Sequence, residues 1–434
     1  MTTTEPGPAG VTDIADLSDP ELISDPFGEY ARIRERAPLV RGVLPGVDPV
    51  WLVTRYDDVR MVLSDPRFVK HPGNVPGVRA DRLGAQLLRG EGFPESDLKY
   101  WLSRMQEYDG ADHARLRGLV SQAFTARRVA ALRPRIERIT EDLLDQLPAA
   151  GPDGVVDLLA RFAYPLPHLV LCELAGIPEA DRRQWGEWRA AVSTPAGMGA
   201  ADIWREVVAY LRELIARRRA QPADDLISGL TRAQDADGDR LSEPEMIGMI
   251  LVLSMTGHLN ITHLIGNGVA ALLTHPEQLA LLRARPQLLP KAIHELLRWC
   301  GPTKITPHLS YAAADLEIGG MPVRKGEALM PVLAAANHDP RRFDDPGRFD
   351  ITREPDGRRV THVSFGHGPH FCLGATLTVV TGEAALGALL RRYPGLALAV
   401  DPDDLEREPL PRQWRLKALP VRLSVDPRGL PGEE

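Results

Sequence analysis

Apolar positions along this chain recur mostly at the three-to-four spacing of helices. The longest such pattern opens at Ser242 and runs to about Thr274, just before His275-Pro276. Ser242 and Glu245 form a capping box, which fixes where the helix begins. Roughly 30 residues at about 1.5 Å each give about 45 Å of helix, enough to cross a large domain. Apolar residues lie on several of its faces, which predicts a central, buried helix. Helical patterns also fill Asp112 to Arg219, with breaks at Gly151-Pro152-Asp153-Gly154 and Pro195-Ala196-Gly197. Residues 27 to 37 predict a first helix introduced by Asp25-Pro26, and Asp57 is placed to cap another running to about Leu63. Strand patterns are short: Trp51-Leu52-Val53-Thr54, Val323 to Pro331 and Val421 to Val425. Residues 68 to 100, rich in Gly, Pro and charge, predict a long irregular connection. The expected fold class is mainly α with small β-sheets, one domain over 1–434 with a flexible tail over 1–13.

Composition narrows the function. With 44% hydrophobic residues and a net charge of -7, the chain reads as a soluble globular enzyme, not a nucleic-acid binder. The apolar stretch Met246 to Met255 is too short to span a bilayer, and the N-terminus has neither a basic start nor an apolar segment, so no membrane association is expected. The three cysteines, Cys172, Cys300 and Cys372, are too scattered for a disulfide framework or a zinc site. Cys172 and Cys300 lie in apolar helical contexts and read as inert core residues. A reducing, cytoplasmic compartment is expected.

Cys372 is different. It closes Phe365-Gly366-His367-Gly368-Pro369-His370-Phe371-Cys372-Leu373-Gly374-Ala375, a glycine-rich turn ahead of an apolar helical run. Free N–H groups at a helix N-terminus favour a thiolate. Gly366, Gly368 and Gly374 leave room for a flat cofactor against the backbone, and Phe365 and Phe371 can shield the sulfur. Such a thiolate suits a haem iron.

Two helical pairs accompany this loop. Glu295 and Arg298 share one face of an otherwise apolar helix. His113 and Arg117, four apart, can point together at carboxylates, for which the planar Arg fork is well matched.

The cysteine loop resembles that of the cytochrome P450 family, Phe-Gly-x-Gly-x-His-x-Cys-x-Gly, at every fixed position. The resemblance covers essentially the whole chain. It implies the P450 fold, a long central helix over a haem b whose iron is held by Cys372. It implies haem contacts from His113, Arg117, His308, Phe365, Gly366, His370 and Gly374. Glu295, Arg298 and Arg348 are then a structural ion triad behind the haem, and the tract 182 to 208 a lid. The implied activity is monooxygenation: hydroxylation or epoxidation of a small-molecule secondary metabolite with O2 and two electrons from ferredoxin and ferredoxin reductase, by a monomer.

The chain departs from the family in three places. On the central helix, Thr256-Gly257-His258-Leu259-Asn260 stands where relatives have an acid and an alcohol that help deliver protons to the oxygen being activated. Leu259 cannot relay a proton, and Asn260 hydrogen-bonds without titrating. Thr256, Gly257, His258 and Asn260 are the candidate catalytic positions. Asn260 can hold a water; His258 either supplies protons or points away and packs against a neighbouring helix; a substrate group can complete the relay. Second, Ser310 stands where relatives carry a propionate-binding Arg, with His308 or Lys304 as candidate substitutes. Third, Thr378-Val379 replaces the usual Ala-Arg after the cysteine. Candidate substrate contacts are Leu253, Thr256, Asn260, Lys304 and Ile305. The missing acid–alcohol pair keeps two other readings open, an atypical oxidation such as oxidative ring formation or aryl coupling, and a non-catalytic haem protein.

Overall fold

The computed structural model describes residues 14–44, 47–78, 89, 95–147, 154–192, 201–234, 238–353 and 361–423. The long apolar pattern forms one helix, Glu243–Thr274, of 32 residues. Its capping box is complete: Ser242 Oγ accepts the Glu245 N–H, and the Glu245 carboxylate accepts the Ser242 N–H. By length and composition this helix passes for a membrane span, but 75% of its most apolar window is buried inside the protein, as in a core helix.

Helices Pro165–Ala175, Leu289–Cys300 and Ala375–Arg392 pack around it. Their close approach depends on small residues. A Cβ at Gly268 would stand 3.0 Å from Leu296, and one at Gly382 would stand 3.1 Å from Ile293 and 3.4 Å from Leu264. Helix Ala126–Gln146 lies against Ala375–Arg392, and helix Gly110–Ala123 precedes it. One apolar core runs through these helices, including Leu264, Ile265, Leu296 and Leu386. Cys172 and Cys300 are buried there, and burial pushes both thiols up to about 12.

The strands are short. They are β1 (Ala15–Asp16), β2 (Leu39–Leu44), β3 (Val47–Val53), β4 (Phe68–Val69), β5 (Val155–Asp157), β6 (Ser310–Ala312), β7 (Leu316–Ile318), β8 (Met321–Val323), β9 (Ala328–Pro331), β10 (Ala397–Leu398) and β11 (Pro420–Arg422). Six form one mixed sheet in the order β1-β2-β3-β9-β6-β4. β10-β11-β5 form a second, and β7-β8 a hairpin. The hairpin turns on Gly319-Gly320, both at positive φ (57° and 84°), as a two-residue turn of this kind requires.

Some expected boundaries shift. Helix Tyr56–Ser64 has Arg55 at its cap with no side-chain bond, and Asp57 sits in its first turn instead. The Val323–Pro331 pattern divides between β8 and β9, because Gly326 turns the chain at φ 87°. Within 68–100 the structure places β4, a single 3₁₀ turn at Pro72–Asn74 and the start of helix Glu95–Leu102; residues 79–88 and 90–94 lie outside the described residues. Residues 424–425 of the last strand pattern, and the breaks at 151–153 and 195–197, also lie outside them. The tract 182–208 gives helix Arg182–Val192 and the start of helix Ala201–Ala220, with Trp185 and Trp204 buried.

Candidate functional site

The loop before helix Ala375–Arg392 is shaped by its glycines. Gly366 and Gly368 take φ of 72° and 70°, a region side chains rarely enter. A Cβ on Gly368 would also stand 2.7 Å from the Leu63 carbonyl. The Cys372 N–H donates to the Phe365 carbonyl at 2.8 Å, which closes the loop on itself. Phe365 and Phe371 meet edge to face at 6.1 Å beside it. Cys372 is exposed, yet loss of water is the strongest influence on its thiol and raises its pKa. The N–H groups of Gly374 and Ala375, and Arg117, act on it in the opposite direction. A desolvated sulfur with hydrogen-bond donors already aimed at it suits a bound cation, which would make the thiolate its stable form.

A second cluster gathers near this sulfur. His113 is buried, its ring centroid 4.0 Å from that of His370, and its Nε2 has no hydrogen-bond partner. Burial and then Arg117 pull the His113 pKa down. His370 is pushed to about 3, by burial first and then by His113, Lys70, His308 and Arg117. His308 is likewise pushed to about 3, by burial and then by Arg104, Lys70 and Arg412. The nearby acids are already engaged. Asp109 accepts the N–H groups of Lys70 and His71 and the Asn74 amide, and Glu107 pairs with Arg104 at 2.7 Å. Five groups able to carry positive charge thus face one another, an arrangement made for an anion.

Lys70 was not among the residues singled out from the sequence. The antiparallel pairs Phe68↔Ala312 and Val69↔Tyr311 bring it opposite Ser310. Its Nζ donates to Ser310 Oγ at 2.6 Å, and burial lowers its pKa to about 8. A lysine just after an edge strand therefore reaches Ser310, the position where the family resemblance implies an arginine. The sequence signal was the strand-like Phe68-Val69 before it, lost in the irregular composition around it.

The central helix carries Leu253, Thr256, Gly257 and Asn260 on one face. Leu253 and Asn260 are half-buried. A Cβ on Gly257 would meet Leu171 at 3.4 Å. The Thr256 side chain lies outside what the structure describes. Asn260 Oδ1 accepts a hydrogen bond from Thr303 Oγ1 at 3.1 Å.

His258 does not join this face. Arg189 Nη1 donates to its Nδ1 at 2.9 Å, so Nε2 carries the proton and donates to the Tyr164 carbonyl at 2.9 Å. Burial, then Arg189, push its pKa to about 3. The alternative of a His258 proton supply is corrected: both nitrogens are engaged between helices, and the ring stays neutral near pH 7.

Lys304 and Ile305 also leave the list of substrate contacts. Thr303 bridges to Gln413 and the chain bends at residues 304–305, so their side chains leave in different directions. Thr303 faces Asn260, and Lys304 turns the other way, fully buried, its Nζ 5.5 Å from the Trp414 ring centroid. Burial and then Arg407 lower its pKa to about 8. Ile305 is buried in the core under the sheet with Leu22, Tyr30 and Met330.

The ion triad needs one correction. Arg298 binds Glu295 bidentately, at 2.7 Å through both Nε and Nη2. Its Nη1 donates to the Asn337 and Pro346 carbonyls. The third side chain is Arg353, whose Nε donates to Glu295 Oε1 at 3.3 Å. Arg348 is 63% exposed and lies 3.7 Å from Asp350. The chain turns at Asp350, whose N–H donates to Glu295, so Arg348 offers only its carbonyl to Arg298. Thr378 Oγ1 donates to the Gly374 carbonyl at 3.1 Å, which ties the changed position after the cysteine back to the loop.

The comparisons agree with this geometry. A family model described as Cytochrome P450 matches residues 185–413. 6-deoxyerythronolide B hydroxylase of Saccharopolyspora erythraea is 43% identical over 95% of this chain and 100% of its own length. Cytochrome P450 monooxygenase PikC of Streptomyces venezuelae is 40% identical over 97% of each chain. Among solved structures, the Bacillus subtilis bacillaene polyketide synthase cytochrome P450 PksS superposes with a TM-score of 0.82 at 35% identity, over 94% of this chain and 99% of that one.

Proposed function

Because this chain belongs to the cytochrome P450 family, and is thus a haem-thiolate monooxygenase of secondary metabolism, we propose that it hydroxylates or epoxidises a polyketide-like small molecule. The support for that substrate class is the naming of similar proteins as a 6-deoxyerythronolide B hydroxylase and as the cytochrome P450 of a bacillaene polyketide synthase. The residues present fit a haem, here taken to be haem b. Cys372 would hold the iron, and His113, Arg117, His370, His308 and Lys70 would take the two carboxylates at its edge. Bound there, the haem supplies the oxidising chemistry.

The chain's own residues do the rest. The hydrogen bond from the Cys372 N–H to the Phe365 carbonyl, with Phe365 and Phe371 packed edge to face in the same loop, keeps Cys372 in one place. Charge-assisted bonds from Lys70 and Arg117 orient the cofactor. Leu253 and the glycine face of the central helix give the substrate an apolar wall, and Asn260 offers it an amide. Electrons come from ferredoxin and ferredoxin reductase, and the enzyme works as a monomer in the cytoplasm, where the unpaired thiols Cys172 and Cys300 stay reduced.

The observation that carries this reading is the Cys372 loop, closed by the Cys372 N–H on the Phe365 carbonyl, with the His113–His370 pair and Lys70 gathered beside it. The test is the optical spectrum of the reduced, CO-treated protein, with pyridine extraction to type the haem. Thiolate ligation gives a Soret band well to the red of that given by imidazole or neutral thiol, and Cys372→Ser abolishes it. A spectrum of the imidazole type from the wild-type protein overturns the reading. Leu259 and Asn260 favour a second reading, oxidative ring formation or aryl coupling. Product mass separates the two: hydroxylation and epoxidation add one oxygen atom, whereas coupling removes two hydrogens. A protein with the thiolate spectrum that turns over no candidate metabolite would instead be a haem-bound ligand carrier.

A further inference from the structure

The loss of the acid and alcohol leaves the central helix without an obvious proton-handling group. Among the described side chains, the other polar groups nearby are turned into the protein. His258 is held between Arg189 and Tyr164. Thr262 is fully buried, and its hydroxyl donates back to the His258 carbonyl at 3.0 Å. Ser254 is buried as well. A hydroxyl nevertheless reaches Asn260, and it comes from another element. Thr303 lies in the segment after helix Leu289–Cys300, 43 residues away in sequence, and donates to Asn260 Oδ1 at 3.1 Å.

That hydroxyl is fixed in place from both sides. The Trp414 N–H donates to the Pro302 carbonyl at 2.8 Å, and the Lys304 N–H donates to the Arg412 carbonyl at 3.0 Å. Thr303 itself pairs across with Gln413. The Lys304 carbonyl accepts the Ala334 N–H at 3.0 Å. A β-branched residue on so constrained a backbone has few rotamers. Thr303 and Asn260 are both half-buried, whereas Lys304 and Ile305 beside them are fully buried, so the pair borders the open side of the central helix.

We propose that Thr303 is a positioning residue that restores the missing hydroxyl from outside the central helix. By donating to Oδ1 it holds the Asn260 amide in one orientation, with the NH2 group directed away from Thr303. A hydroxyl that donates to one neighbour still accepts from another. The lone pair left on Thr303 Oγ1 and the Asn260 NH2 would therefore order water beside the haem, and protons would pass from water to water in that ordered chain while the Thr303 hydrogen stays on Asn260 Oδ1. No charged intermediate and no titrating side chain is required. The inference rests on the haem-thiolate reading and adds to it which residues manage protons.

The experiment compares wild type with Thr303→Val, Thr303→Ser, Asn260→Ala and the Thr303→Val/Asn260→Ala double variant, all as haem-loaded protein. Valine keeps the shape of threonine and removes the hydroxyl; serine returns it. Two quantities are read: the resting ferric spectrum without substrate, and the share of consumed electrons released as hydrogen peroxide with a turned-over metabolite. Thr303→Val is expected to shift the resting spectrum toward high spin through loss of ordered water, and to raise the peroxide share several-fold at unchanged haem content. Thr303→Ser is expected to return both toward wild type, and the double variant to be no worse than the more affected single one. An unchanged spectrum and peroxide share in Thr303→Val, or fully additive single effects, overturns the inference. The thiolate-type CO spectrum separates the levels: with it intact, a silent Thr303→Val removes only this inference, and without it the family-level reading falls first.

Discussion

At the scale of single residues, the most consequential contact is between Lys70 and Ser310. The Lys70 ammonium is largely desolvated and held by one neutral hydroxyl at 2.6 Å. A hydroxyl does not neutralise it, and a cofactor carboxylate would. Hydrogen bonds to charged groups contribute about 1.5–3 kcal/mol. Lys70→Ala is therefore expected to speed haem loss to a scavenging apoprotein roughly ten- to hundredfold, at about 1.4 kcal/mol per factor of ten. The check is haem transfer followed optically; an unchanged rate would place Lys70 outside the cofactor's reach. The same residue shows where reading the chain stops. The Cys372 loop and the Ser242 capping box are local patterns, and both were visible in the sequence. Lys70 meets Ser310 across 240 residues, Thr303 meets Asn260 across 43, and Arg353 meets Glu295 across 58. Such pairings are set by how strands and turns dock, and no local period records them.

At the scale of elements, the segment after Phe343 decides which arginine supports the cysteine loop's platform. Two arginines five residues apart compete in the sequence, and the turn at Asp350 sends one inward and one outward. Arg353 Nη1 and Nη2 also donate to the Asp344 and Asp345 carbonyls, which ties the whole segment to helix Leu289–Cys300. Arg353→Ala leaves these acceptors and part of Glu295 unmatched and is expected to cost about 1–3 kcal/mol. Arg348→Ala removes a solvated side chain and is expected to stay within about 0.5 kcal/mol of wild type. Urea unfolding of the two variants in parallel tests the assignment, and a reversed order would return Arg348 to the triad. The central helix teaches a related lesson. Its length and start followed from the sequence, but the direction of His258 did not, because that depends on Arg189 arriving from helix Arg182–Val192.

At the scale of the whole molecule, several histidines are buried as neutral rings. His258, His263, His338 and His362 are each pushed from 6.5 to about 3, by burial first. The next contributions are Arg189 for His258, Arg415 for His263, Arg298 for His338 and His294 for His362. In the unfolded chain these rings take up protons below about 6.5, whereas the folded protein holds them neutral down to about 3. The unfolded state therefore binds more protons in that window, and stability falls as pH falls through it. Above about 6.5 the contribution is fully present. Each ring adds up to about 1.4 kcal/mol per pH unit to that slope. Unfolding at pH 5 is expected to take up about four protons through these residues, measurable by calorimetry in buffers of different ionisation heat. His258→Gln is expected to lower that uptake by about one; an unchanged uptake would mean that His258 is protonated in the folded protein.

The edge strand β4 is two residues long and, among the described residues, pairs only with β6. Two cross-strand pairs hold little by themselves, and the residue that follows them is Lys70. With the haem held as proposed, the end of the sheet and the rim of its site would be one piece of structure. A ligand bound only by the folded form stabilises whatever it touches, so in a growing cell haem supply would set how tightly this end of the sheet is closed. Starved of haem, the chain would offer proteases the stretch around Phe68 first, and its abundance would follow cofactor synthesis even at constant transcription.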